Sequence, residues 1–263
     1  MKSRAPATVP ADLPPLTRRM IGWEIVIVLG VSLGADALFA IINLIGSLTA
    51  RKTLASQQAV LVGSLAPGRP LLDLTLQLAS ILTTLVPVAL VFYLLAREGA
   101  GPSALGVDTT QPGRDIARGA VLAALIGGSG LALYIAAFHL GISLNVVPES
   151  LPTVWWRIPV LVLDAAQNGI LEEVLVLGYL LRRLDQLGWT PAKAIALAAV
   201  VRGSYHLYQG FGGFIGNAIL GVIFGVLYKR WGRITPMIIA HTLIDTGAFV
   251  GYAALHGHVS WLP

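Results

Sequence analysis

Glu172 and Glu173 stand side by side in an apolar run, Asn168-Gly-Ile-Leu-Glu-Glu-Val-Leu175. A carboxylate in hydrocarbon costs about 2.5–3.5 kcal/mol on insertion scales. Two adjacent ones resist joint ionisation. Packing alone does not account for such a pair. The later apolar runs carry Asp164, Arg202, His206, His241 and Asp245 as well. A glutamate and a histidine sharing one water form a general-base arrangement. A second histidine with an acidic neighbour can orient a donor toward a developing oxyanion. Glu172, His206, His241 and Asp245 could therefore hydrolyse an acyl or peptide bond without a covalent intermediate. Glu173, Arg202 and Asn168 are the candidate supporting residues.

Other chemistries are narrowed by what the chain lacks. It has no cysteine, which excludes thiol nucleophiles, thiolate metal sites and disulfides. Ser204 lies two residues before His206 and points away from it on a helix, which disfavours a serine triad. No His-Glu-x-x-His occurs. Zinc held by two histidines and a glutamate stays chemically open; no other cofactor is called for.

These residues need elements to carry them. The chain has 263 residues, 56% hydrophobic and 12% charged, with a mean hydropathy of +0.76. Soluble domains carry about 25% charged residues, so the expected class is an integral membrane protein. About 20 apolar residues span a bilayer core. Seven runs meet that length, at roughly 21–48, 71–96, 116–140, 154–181, 191–208, 213–231 and 234–255. The expected fold is all-α, a polytopic transmembrane helix bundle. Residues 1–20 read as a disordered cytoplasmic tail, 21–145 as N-terminal transmembrane helices, 146–255 as the catalytic helical core and 256–263 as a C-terminal tail. Trp155, Trp156 and Arg157 read as interfacial anchors of the fourth span.

The sequence pI of 9.7 does not imply nucleic acid, because the basic residues sit in short loops. With the N-terminus inside, the inner segments hold thirteen lysines and arginines, and the outer segments hold Arg51, Lys52, Arg69 and Arg157; Arg202 lies within a span. That asymmetry sets N-in, C-out with seven spans. At about 1.5 Å per residue, Glu172 lies about 15 Å, His206 about 20 Å and His241 about 12 Å from the cytoplasmic edge. Three helices thus bring Glu, His and His to similar depth, near or on the cytoplasmic side of the midplane. Asp164, Asn168 and Glu172 follow at four-residue steps on one face, as do Arg202 with His206 and His241 with Asp245. Asp36, Asn43 and Asp73 read as structural, and Asp164 and Asn168 as equally well explained by interhelical hydrogen bonding.

The motifs resemble those of the CPBP family (CAAX proteases and bacteriocin-processing enzymes, also called Abi), intramembrane glutamate-type endopeptidases. The family's Glu-Glu-x-x-x-Arg followed by Gly reads here Glu172-Glu173-Val-Leu-Val-Leu177-Gly178; its Phe-x-x-x-His reads Arg202-Gly-Ser-Tyr-His206; its His with Asn or Asp four residues on reads His241-Thr-Leu-Ile-Asp245. The similarity covers about 154–250. It implies that Glu172 activates water with help from His206, that His241 and Asp245 stabilise the oxyanion, and that Glu173 is a structural or electrostatic partner. It also implies a membrane-embedded or lipidated peptide substrate, action near the cytoplasmic face, and residence in a bilayer, here the bacterial cytoplasmic membrane.

Two departures stand out. The family's arginine is Leu177 and its phenylalanine is Arg202. A buried arginine needs a partner, so the expectation is that Arg202 supplies the missing cation and pairs with Glu173 or Glu172. Two other readings stay open: a silent member that binds a membrane partner, as in immunity, and a proton-coupled carrier. The chain shows no internal repeat of the kind a carrier favours.

Overall fold

The computed structural model describes residues 16–258. The expected N-terminal and C-terminal tails therefore lie mostly outside the described residues. Among the described residues ten α-helices run in chain order: α1 (Arg18–Gly30), α2 (Leu33–Thr49), α3 (Pro70–Thr84), α4 (Val86–Arg97), α5 (Pro112–His139), α6 (Arg157–Glu172), α7 (Leu181–Gln186), α8 (Pro191–Ser204), α9 (Phe211–Trp231) and α10 (Thr235–Leu255). The start of α1 is capped by Thr17, whose hydroxyl accepts from the Met20 amide. Helix therefore begins inside the stretch expected to be tail.

Four helical units among the described residues are long and apolar enough to cross a membrane: α3 with α4, α5, α9 and α10; the α1–α2 pair, bent by 55°, makes a fifth. The remaining two expected spans differ in kind. The fourth is a helical run from 157 to 186 interrupted by wide π-helical turns at Glu173–Leu180, all eight residues of which are buried. The fifth is α8, only 14 residues, about 21 Å at 1.5 Å per residue. Both bury one face and expose another, with Val162 and Leu163 exposed on α6 and Val200 on α8.

The fold is not purely helical. β1 (Gln58–Gly63) and β2 (Asn145–Ser150) form a parallel two-stranded sheet, with Gln58 opposite Asn145 and Val62 opposite Glu149. The helical expectation holds for most of the described chain, and this two-stranded sheet is the exception to it. The strands lie far apart in sequence, and nothing local in either announces its partner. Ser143 bridges Gly210 beside this sheet, and the Leu144 amide donates to the Gln209 carbonyl. Trp156 is also corrected. It is 1% exposed and packs with Val62, Leu161, Ala165 and Phe249, while Trp155 is 79% exposed. Arg157 pairs with Glu149.

The opposite end is stitched by charges. Arg183 pairs with Glu24 and Glu98, Lys229 with Asp185, and Arg233 with Asp108 and Asp115. The Thr110 hydroxyl and amide donate to Asp108 and, with Arg233 beside it, hold that carboxyl below its ordinary range. We call the two ends the sheet end and the basic end.

Glycines set the helix spacing that positions the site. A Cβ at Gly169 in α6 would lie 2.7 Å from Thr242 Oγ1 and 3.1 Å from the Ile238 carbonyl of α10. One at Gly221 in α9 would lie 2.9 Å from Ala199 Cα of α8. Small residues let membrane helices approach in this way. Gly169→Val should push α10 off α6, lower thermal stability in detergent by a margin typical of overpacking, about 1–3 kcal/mol, and reduce any activity of the site. Gly128→Val, where a Cβ meets nothing within 4 Å, should leave the melting temperature near wild type.

Candidate active site

Glu172 ends α6, and Glu173 opens the π-helical turns. Facing them, α8 supplies Arg202 and α10 supplies His241. Arg202 is 0% exposed, deep among apolar side chains, with its guanidinium over the Phe224 ring. It donates to Glu173 Oε1 at 2.7 Å, lies 3.3 Å from Glu172 Oε2 and 3.1 Å from His241 Nδ1. The expectation was Glu173 or Glu172; the guanidinium reaches both. His241 Nδ1 also lies 2.8 Å from Glu173 Oε1. An arginine only donates, so a proton on Nδ1 goes to Glu173. His241 is then held between Glu173 at Nδ1 and Asp245, whose Oδ2 lies 3.5 Å from Nε2.

The two adjacent carboxylates have different surroundings. Glu173 is fully buried and faces Arg202 and the His241 imidazole. Glu172 accepts from the Tyr205 hydroxyl at 2.8 Å through Oε2. Its Oε1 makes no protein hydrogen bond among the described residues, and the residue lines a cavity of about 1210 Å³. His206 lines the same cavity. It follows the last turn of α8, where its Nδ1 lies 3.0 Å from the Arg202 carbonyl. A carbonyl only accepts, so the proton sits on Nδ1 and Nε2 is the ring's proton acceptor. Tyr205 and Tyr208 flank the imidazole, with ring centroids at 4.7 and 6.4 Å. Asn168 donates to Asp245 at 3.4 Å. Ser204 is turned back onto the Val200 carbonyl at 2.7 Å.

The four candidate catalytic residues, Glu172, His206, His241 and Asp245, thus line one cavity, together with Asn168 and Asp164. Glu173 and Arg202 lie beneath its floor. Sequence reasoning missed several neighbours. Tyr205 carries a direct bond to Glu172; its position next to His206 was the available signal. Asp36 and Asn43 were read as structural, but both line the cavity. An acidic residue in an apolar span favours such a polar wall. Asp73 does serve the local fold, accepting from Ser64 Oγ at 2.6 Å and the Leu65 amide at 2.9 Å. The Arg202 guanidinium fills the space among Glu172, Glu173 and His241. Among the described residues no three carboxylate, imidazole or thiol side chains are arranged to hold a metal ion.

The cavity has a direction. Glu172 lies near the middle of its helical run and His241 a third of the way along α10 from the basic end, and the cavity rises from them toward the sheet, where Leu61, Val62, Val146 and Pro148 line it. None of its described wall comes from the loops of the basic end. The depth expected for the three residues says nothing of this direction, which is a property of the space between the helices.

No curated protein and no solved structure matches the chain. Residues 153–247, from the turn before α6 into α10, match the family model of type II CAAX prenyl endopeptidase, Rce1-like. That stretch contains Glu172, Glu173, Arg202, His206, His241 and Asp245, the residues that meet at the cavity floor, so the likeness to the type II CAAX prenyl endopeptidase, Rce1-like, model lies in the part of the chain that builds the site.

Proposed function

We propose that this protein is an intramembrane endopeptidase in which Glu172 activates a water held between it and His206. The observation that carries the reading is the division of Glu172. Its Oε2 is fixed by Tyr205 and Arg202, and its Oε1 is left without a protein partner at the floor of the cavity. Oε1 takes a proton as the water oxygen adds to the peptide carbonyl. His206 Nε2 accepts from the same water and orients it. A doubly protonated His241, donating to Glu173 through Nδ1, presents Nε2–H to the oxyanion, with Asp245 and Asn168 aligning it. The proton on Glu172 then passes to the leaving amine, which breaks the C–N bond and restores the carboxylate. The substrate class is a membrane-associated or lipid-linked peptide.

The seven-span, N-in, C-out arrangement in a bacterial cytoplasmic membrane belongs to this reading. It is supported by where the loops meet. The ion pairs of Arg183, Lys229 and Arg233 join segments that this topology puts inside. The β1–β2 sheet and the Ser143–Gly210 bridge join segments that it puts outside.

Glu172→Gln keeps the shape of the side chain and removes the base. Purified wild type should cleave a membrane-peptide substrate, and the variant should lose roughly 10²–10⁴-fold in rate. Equal cleavage by the two would end this mechanism and leave the silent, partner-binding reading. Tyr205→Phe should retain the fold and lower kcat, since it frees Oε2 without removing the carboxylate. A chelator should not affect the rate; loss restored by Zn²⁺ would revive the metal reading.

The cation relocated from position 177 to Arg202 makes its own prediction. Arg202→Leu leaves Glu173 buried without its main partner, at a cost of about 3–5 kcal/mol, and should abolish folding or activity. Leu177→Arg in that background should restore part of the melting temperature. No recovery at all would count against relocation.

A further inference from the structure

We infer that the active site takes its substrate from the face of the membrane opposite the basic loops, so that its substrates present the scissile bond from the non-cytoplasmic side. This rests on the proposed site and deepens it, and it sets the chain apart from any enzyme of cytoplasmic peptide tails. Two independent observations carry it.

The first is the direction of the cavity along every helix that walls it. On α6 it runs from Glu172 back to Asp164, toward the sheet-end start of that helix. On α10 it runs from His241 forward to Leu255, again toward the sheet end. On α9 it runs from Ile223 back to Gly212, beside the Ser143–Gly210 bridge. Helices pointing in opposite chain directions agree, so the asymmetry belongs to the molecule and not to one element. The sheet itself supplies part of the wall.

The second is what lies on the other side of the floor. Leu105, Leu177, Leu180, Phe224, Ile234 and Met237, all 0% exposed, form one packed core between the Glu172–Arg202–His241 cluster and the basic end. Beyond them Arg183 and Arg233 tie the loops together. Interiors packed to this degree hold few voids larger than a water molecule, so among the described residues no route leads to the site from that side. The thirteen-to-four division of lysine and arginine between the two sets of loops makes the closed end cytoplasmic.

The absence of cysteine from the chain makes the test direct. Single cysteines are placed at Trp155, exposed at the sheet end, at Thr190, exposed at the basic end, and at the cavity-wall positions Gly127 and Gly216. A Cβ at the last two meets only ordinary contacts, at 3.7 and 3.5 Å. A membrane-impermeant maleimide is applied to intact spheroplasts and to inverted vesicles. Trp155→Cys, Gly127→Cys and Gly216→Cys should react from the outer face at least ten-fold faster than from the inner, and Thr190→Cys the reverse. Cavity cysteines that react from the same face as Thr190→Cys, or from neither face, overturn the inference. So does a reversed pair of controls. Repeating the labelling in Glu172→Gln keeps the result independent of proteolysis: access can fail while the protease reading stands, and the reverse.

Discussion

A guanidinium held out of water among apolar side chains is the constraint on which this site depends. Arg202 is enclosed completely and meets Glu173, Glu172 and His241 at once. Desolvating an ion costs several kcal/mol, offset only where geometry supplies close opposite charge and hydrogen bonds. The planar fork of arginine suits this role better than a lysine point charge. One NH group is committed to Glu173, and the other faces Glu172 beside the imidazole. The same cation therefore stabilises two adjacent carboxylates that could not otherwise be ionised together, and fixes three helices relative to one another. Removing it would undo the stability of the core and the geometry of the site together.

Small residues make that constraint satisfiable. α6 and α10 approach closely at Gly169, where any side chain would run into Thr242 and the Ile238 carbonyl. α8 and α9 approach at Gly221, where a Cβ would also lie 3.3 Å from Arg202 Cδ. At Gly203 an added Cβ would meet Phe214. The short α8 then ends early enough that Tyr205 and His206 leave the helix and turn over the cavity. A helix of full spanning length would have carried them past Glu172. The shortness of α8 is thus tied to the site, and the backbone bond from His206 to the Arg202 carbonyl links the imidazole to the buried cation through one turn of chain.

Much of this was readable from residue type. The cost of charge in an apolar run marked Glu172, Glu173, Arg202, His206, His241 and Asp245, and four-residue spacing placed them on common faces. Pairing of Arg202 with the glutamates followed from charge balance alone. What failed to register had no local signature. The β1–β2 pair joins six-residue strands on either side of three helices. The π-helical turns at Glu173–Leu180 fall in a run apolar at nearly every position, so periodicity carries no phase there. Counting residues from a loop gave depth but not direction, because a cavity is the space left between helices. That is also why Asp36 and Asn43 read as isolated structural groups until α2 was seen to wall the site.

The contrast between the two ends bears on how a hydrolase can work inside a bilayer. In the proposed mechanism water must reach Glu172 without dissolving the ion cluster below it. In this fold the functions are separated along the helix axes. Toward the basic end, packed leucines and multiply bonded arginines leave nothing to hydrate. Toward the sheet end, glycine-rich α9 and the polar groups Asp36, Asn43, Asp164 and Asn168 line a space large enough for an extended peptide and solvent. Glu172 and Glu173 occupy the boundary. One carboxylate turns an oxygen to the wet side and the other stays with the buried cation on the dry side. Adjacency in sequence is what permits this, since consecutive residues on a helix point about 100° apart and one step of chain spans the boundary.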